Sequence, residues 1–166
     1  MCVVCGAASR PTGCRLGLHG HGVRDRQVRG PIDADSSPVW IVIACRRYVC
    51  TTCDAVLTVV PRGVCPRRHY GHATIAMALA LWAIVGAPVG DIRRRVCAWQ
   101  QSHETPSQWP TLRRWARAAR DVIGNASLVL EIAAARVAQR AIGRAPPEAR
   151  HAPRWAQAFA GGSVMP

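Results

Sequence analysis

An α+β fold is predicted for this chain, with short antiparallel strands in the N-terminal part and an all-α bundle after them. Three observations predict it. Two Cys-x-x-Cys pairs, Cys2 with Cys5 and Cys50 with Cys53, bracket the first part of the chain. A β-rich run, Val39 to Val49, leads straight into the second pair. After Arg67, Arg68, His69 and Tyr70 the apolar period changes from two to near 3.6. The expected organisation is residues 1–70, residues 71–143 and a flexible tail over 144–166, where Pro146, Pro147, Pro153 and Gly161-Gly162 break up the pattern.

Each cysteine pair has the spacing at which a tight turn aims two thiolates at one tetrahedral ion, so Cys2, Cys5, Cys50 and Cys53 are the expected ligands of Zn2+. Gly6 fits, because the residue after a knuckle's second ligand often needs a backbone conformation that glycine adopts without penalty. Residues 6 to 49 separate the pairs, far more than the roughly 15–20 of a compact four-cysteine site. A zinc ribbon accommodates that insertion, since its knuckles sit at the ends of hairpins. Ala55 to Val60 is then the return strand, and Cys50 and Cys53 sit at the hairpin tip. The other reading is of redox-active or merely buried thiols. Cys14, His19 and His21 leave a second or histidine-containing site open, and Cys45 or Cys65 can replace a nominal ligand. Cys97 reads as a core residue and His19-Gly20-His21 as a turn between strands.

Composition bounds the partners. The formal charge is +13, with a pI of about 11.1, and the chain has no lysine, so all 22 basic side chains are arginine. That excess points to a polyanion. The abundance of arginine and alanine also looks like the codon bias of a GC-rich genome, so the placement of the arginines decides. Met1 is followed at once by Cys2 and Cys5, with neither a basic nor an apolar leader region, and a reducing cytoplasm is the expected compartment. Ala73 to Val89 is uncharged but falls short of the roughly 20 residues of a span and is broken by Gly86 and Pro88, so a buried helix is expected and no membrane partner.

The helical part supplies the basic surface. A first helix, His72 to Val85, is apolar almost all round. A second, from Pro88, places Val89, Ile92, Val96 and Trp99 on one stripe and Arg93, Arg94 and Arg95 on the other face. Gln100 to Trp109 is a loop. A third helix, from Pro110 and Thr111, buries Leu112, Trp115, Ala119 and Val122 and turns Arg113, Arg114, Arg117 and Arg120 outward, with no acid between Thr111 and Arg120. Gly124 and Asn125 end it, and Ser127 caps a fourth helix reaching about Ile142. Arginines clustered on one exposed helix after another short helix suit a recognition helix on double-stranded DNA. The expected contacts are Arg93, Arg94, Thr111, Arg113, Arg114, Arg117 and Arg120.

The order of an N-terminal Cys-x-x-Cys-Gly, a His-Gly element, an Arg-rich strand into Cys-x-x-Cys and a strand ending at Val60-Pro61 resembles the short zinc-ribbon proteins and transposase N-terminal regions of bacterial mobile elements, some known only as domains of unknown function. In these a helix-turn-helix follows the ribbon, as Ala73 to Arg120 would here. The resemblance implies a zinc-dependent DNA-binding accessory or regulatory factor of a transposable or integrative element, working beside a transposase or integrase. The alternatives are a protein–protein adaptor without DNA contact and a transposase fragment. No catalysis is expected, because the nine acids are scattered and Asp33, Asp35, Asp54, Asp91, Asp121 and Glu131 fall in turns or at helix ends.

Overall fold

A computed structural model describes residues 1–65, 68–99 and 109–163. It is an α+β molecule. Strands β1 (Leu18–Gly30), β2 (Val39–Cys50) and β3 (Val56–Thr58) come first, and helices α1 (His72–Ala83), α2 (Val89–Val96), α3 (Pro110–Ile123), α4 (Leu130–Ile142) and α5 (Arg154–Ser163) follow, with a 3-10 turn at Pro147–Ala149. The sheet order is β1-β2-β3. The hairpin runs as read from the sequence: β3 pairs antiparallel with β2, Arg47 opposite Thr58 and Val49 opposite Val56, so Cys50 and Cys53 stand at its tip. The expected turn at His19-Gly20-His21 instead lies inside β1.

The chain divides into two compact units. The first comprises residues 1–27 and 42–61. The second comprises residues 28–41 and the chain from 62 onward, so the division differs from a cut near residue 70. Within the second unit, residues 28–41 are held by backbone and side-chain bonds. Arg29 bridges to Tyr70 in parallel, its N–H donates to the His69 carbonyl at 2.6 Å, and Arg95 donates to the Ala34 carbonyl at 3.2 Å.

The core of the second unit is built on α1. From Ala76 to Leu81 every side chain is buried, as expected of a helix apolar on all sides, and α5, α4, α2 and α3 pack around it. Fully burying Met77 or Leu79 contributes about 1.5–3 kcal/mol each. Helix α2 adds Ile92 and Val96, and α3 adds Leu112, Trp115, Ala116 and Ala119. Tyr70, Trp109 and Trp115 pack edge to face, with centroids 5.0–6.4 Å apart.

Several expected positions move. Trp99 lies beyond the end of α2 and is half exposed, and Val122 is 59% exposed while Ala116 takes its place in the core. The stripe of α3 is centred one residue off the line drawn through its large side chains. Ser127 does not cap α4, whose first residue is Leu130; its N–H and hydroxyl donate to Asn125 Oδ1. The loop from Gln100 falls outside the described residues up to position 108.

The expected flexible tail is the largest correction. Residues 154–163 form α5, with Ala156, Ala158, Gly161 and Gly162 buried against the core. Such small side chains carry no strong periodic apolar signal, yet they let backbones approach closely. A Cβ at Gly161 would fall 1.8 Å from the Ala141 carbonyl oxygen. Gly161→Val is therefore expected to lower stability by about 1–3 kcal/mol through overpacking. Gly143→Ala, whose Cβ would meet its nearest neighbour at an ordinary 3.5 Å, serves as the tolerated control in urea unfolding followed by helical circular dichroism.

Candidate metal centre

The two Cys-x-x-Cys turns have the same internal construction. In the first, the Gly6 N–H donates to the Cys2 carbonyl at 2.9 Å and the Cys2 N–H to the Ala7 carbonyl at 2.8 Å. In the second, the Asp54 N–H donates to the Cys50 carbonyl at 2.9 Å and the Cys50 N–H to the Ala55 carbonyl at 3.0 Å. Both turns close on a left-handed residue, Gly6 at φ 76° and Asp54 at φ 56°. Asp54 is one of the few residue types that take this conformation at modest cost. Thr51 fixes the second turn, its N–H and hydroxyl donating to the Gly17 carbonyl at 3.0 and 3.3 Å.

Together the turns bring Cys2, Cys5, Cys50 and Cys53 into one cluster, with all four sulfurs within 4.8 Å of one another. Cys2 Sγ lies 3.9 Å from Cys53 Sγ, and Cys5 Sγ lies 3.7 Å from Cys50 Sγ. Four sulfurs bonded to a tetrahedral ion at about 2.3 Å stand about 3.8 Å apart, which the Cys2–Cys53 and Cys5–Cys50 distances match and the whole cluster approaches. Cys2 and Cys50 are buried and Cys5 is exposed.

The backbone prepares the thiols unequally. The Thr52 amide, outweighing burial, brings Cys50 down to about 6, and the amides of Cys5 and Val4 lower Cys2 as well. Cys53 is pushed up to about 12: the Ala55 amide acts to lower it, but the Cys5 thiol, burial and the other two sulfurs outweigh that bond. Four thiolates this close repel one another, and a divalent cation offsets that repulsion.

The remaining candidates stand apart from the cluster. Among the described residues no second group of three or more potential ligands forms. Cys14 is exposed, Cys65 half-buried and Cys45 buried in β2, while His19 and His21 are exposed on β1. Cys97 is a core residue: the Tyr70 hydroxyl donates to its sulfur at 3.2 Å.

The arginines divide. On α3, Arg113, Arg114 and Arg117 are exposed, and Thr111 and Arg120 are half-buried. Arg94 is exposed and ion-paired with Asp91. Arg93 is a correction, being only 8% exposed and thus withdrawn from any surface contact. The period of α2 turns it inward beside Ile92. Among the described residues no helix is long and apolar enough to cross a membrane.

The knuckle geometry has a direct test. Asp54→Gly removes the left-handed strain and is expected to stabilise the metal-loaded protein by up to about 1 kcal/mol, whereas Gly6→Val is expected to cost about 1–2 kcal/mol or more. Metal analysis should find one ion per cluster, lost in Cys2→Ser. Co2+ loading should give the intense visible absorption of a tetrahedral tetrathiolate rather than the weak bands of an octahedral site.

Residues 11–115 match a domain family described as a domain of unknown function (DUF6431), and the chain belongs to that family. No curated protein and no solved structure matches the chain.

Proposed function

We propose that this DUF6431 chain is a zinc-dependent DNA-binding protein that holds double-stranded DNA through α3. The observation that carries the reading is the outer face of α3, where Arg113, Arg114 and Arg117 are exposed and no acid occurs before Asp121. An idle solvated face usually mixes signs at helical spacing. Guanidinium groups can pair bidentately with guanine in the major groove or grip phosphate. A net charge of +13 supports a polyanionic partner. Zinc is the proposed ion, because a closed set of four thiolates is its usual structural site.

The setting we propose is the bacterial cytoplasm, with the protein acting as an accessory or regulatory factor of a transposable or integrative element beside a transposase or integrase. The module order supports this. Binding without catalysis is the proposed activity, and two of the acids, Asp91 and Asp35, are already engaged with Arg94 and Arg95. A protein–protein adaptor is the second reading. It is favoured by the exposed apolar side chains Val122, Val129 and Ile132 at 59, 54 and 46%.

Fluorescence anisotropy of labelled duplex DNA over a range of salt separates the two. Binding should weaken linearly in log–log form with salt, and Arg113→Ala with Arg117→Ala should reduce the slope by about 0.9 for each phosphate contact removed. No binding at low salt would overturn the DNA reading in favour of the adaptor.

A further inference from the structure

The chain has six tryptophans, and four of them serve the core. Trp109 and Trp115 are buried, and Trp82 and Trp155 pack partly buried against the same cluster. Trp40 and Trp99 do not: they are 47 and 50% exposed, yet they meet each other edge to face, with centroids 6.2 Å apart and planes at 65°. The Arg29 guanidinium stands over the Trp40 ring, 5.5 Å from its centroid. The pair is also held from behind. Buried Cys97 donates through its sulfur to the Trp99 carbonyl at 3.1 Å and accepts from the Tyr70 hydroxyl at 3.2 Å, which ties the backbone of Trp99 to the aromatic core.

An exposed, positioned pair of indoles with a guanidinium on one ring has what an unpaired nucleobase needs: flat π surface to stack on and a cation for the adjoining phosphate. An apolar protein segment would fit the indoles alone. The guanidinium and the charge of +13 favour the polyanion. We infer that Trp40 and Trp99 form a stacking platform for unpaired bases of single-stranded nucleic acid, distinct from the duplex-binding face of α3. The inference builds on the nucleic-acid reading above and specifies a second form of the ligand.

The test titrates the full-length, metal-loaded protein with a short oligothymidylate at low salt, following tryptophan emission and anisotropy, in the wild type, Trp40→Ala, Trp99→Ala, the double variant and the Arg113→Ala/Arg117→Ala variant. Wild-type emission should be quenched on binding. Each tryptophan variant should lose about 5- to 150-fold in affinity for the oligothymidylate, the effect of one lost base stack. The double variant should keep its duplex affinity, which also shows that it is folded, and Trp40→Phe should recover part of the loss. Unchanged oligothymidylate affinity in the double variant would overturn the platform, as would absence of oligothymidylate binding by the wild type. Oligothymidylate binding that depends on the tryptophans without any duplex binding would overturn the α3 reading alone and leave the platform standing.

Discussion

Two pairs of thiols separated by residues 6 to 49 must converge on one point, and the N-terminal unit depends on that convergence. In residues 1–27 and 42–61 the buried positions are Cys2, Gly17, Cys45 and Cys50. No leucine, isoleucine, valine or aromatic side chain of this unit is fully withdrawn from water, so hydrophobic burial contributes little to its cohesion. Units of this size commonly need a metal or cross-links. An ion held by the four clustered thiolates would supply the missing cohesion, because binding energy in a small metal domain is folding energy. The second unit is organised in the opposite way, around an apolar core of Met77, Leu79, Ile92, Val96, Leu112 and the aromatic group.

The basic triplet on α2 shows how charge in the sequence is distributed by the fold. Arg93 is buried, Arg94 is exposed beside Asp91, and Arg95 lies over the Trp155 ring at 3.9 Å while reaching Ala34 and Asp35. Three adjacent arginines thus have three different surroundings, two of them structural. On α3 the exposed arginines occupy the face opposite Leu112, Trp115, Ala116 and Ala119, so packing of the helix itself directs Arg113, Arg114 and Arg117 outward.

Much of this was legible from residue spacing. The clustering of the four cysteines follows from Cys-x-x-Cys geometry, β2 from its run of β-branched residues, and α1 and α3 from helical period. What escaped has identifiable physical causes. Helix α5 packs largely through alanine and glycine, whose burial depends on close backbone approach, and its one large apolar pair, Trp155 and Phe159, is too short a pattern to stand out among Pro146, Pro147, Pro153 and Gly161-Gly162. Arg93 faces inward because α2 is short and its phase is set by Ile92 and Val96 rather than by charge. The left-handed role of Asp54 is hidden because its counterpart in the first knuckle is glycine and aspartate carries no unique signal for it. The Trp40–Trp99 pair joins residues far apart in sequence, and no local pattern announces such a contact.

The dependence of the N-terminal unit on its metal is tested most directly by amide hydrogen exchange, residue by residue, with and without a chelator. The amides of Gly6, Cys50 and Asp54 are hydrogen-bonded within the two knuckles, and that of Thr51 donates to the Gly17 carbonyl. Their protection is expected to vanish when the metal is stripped, while amides in α1 and α4 stay protected. Knuckle amides that remain protected in fully metal-free protein would contradict the claim that the ion holds this unit together.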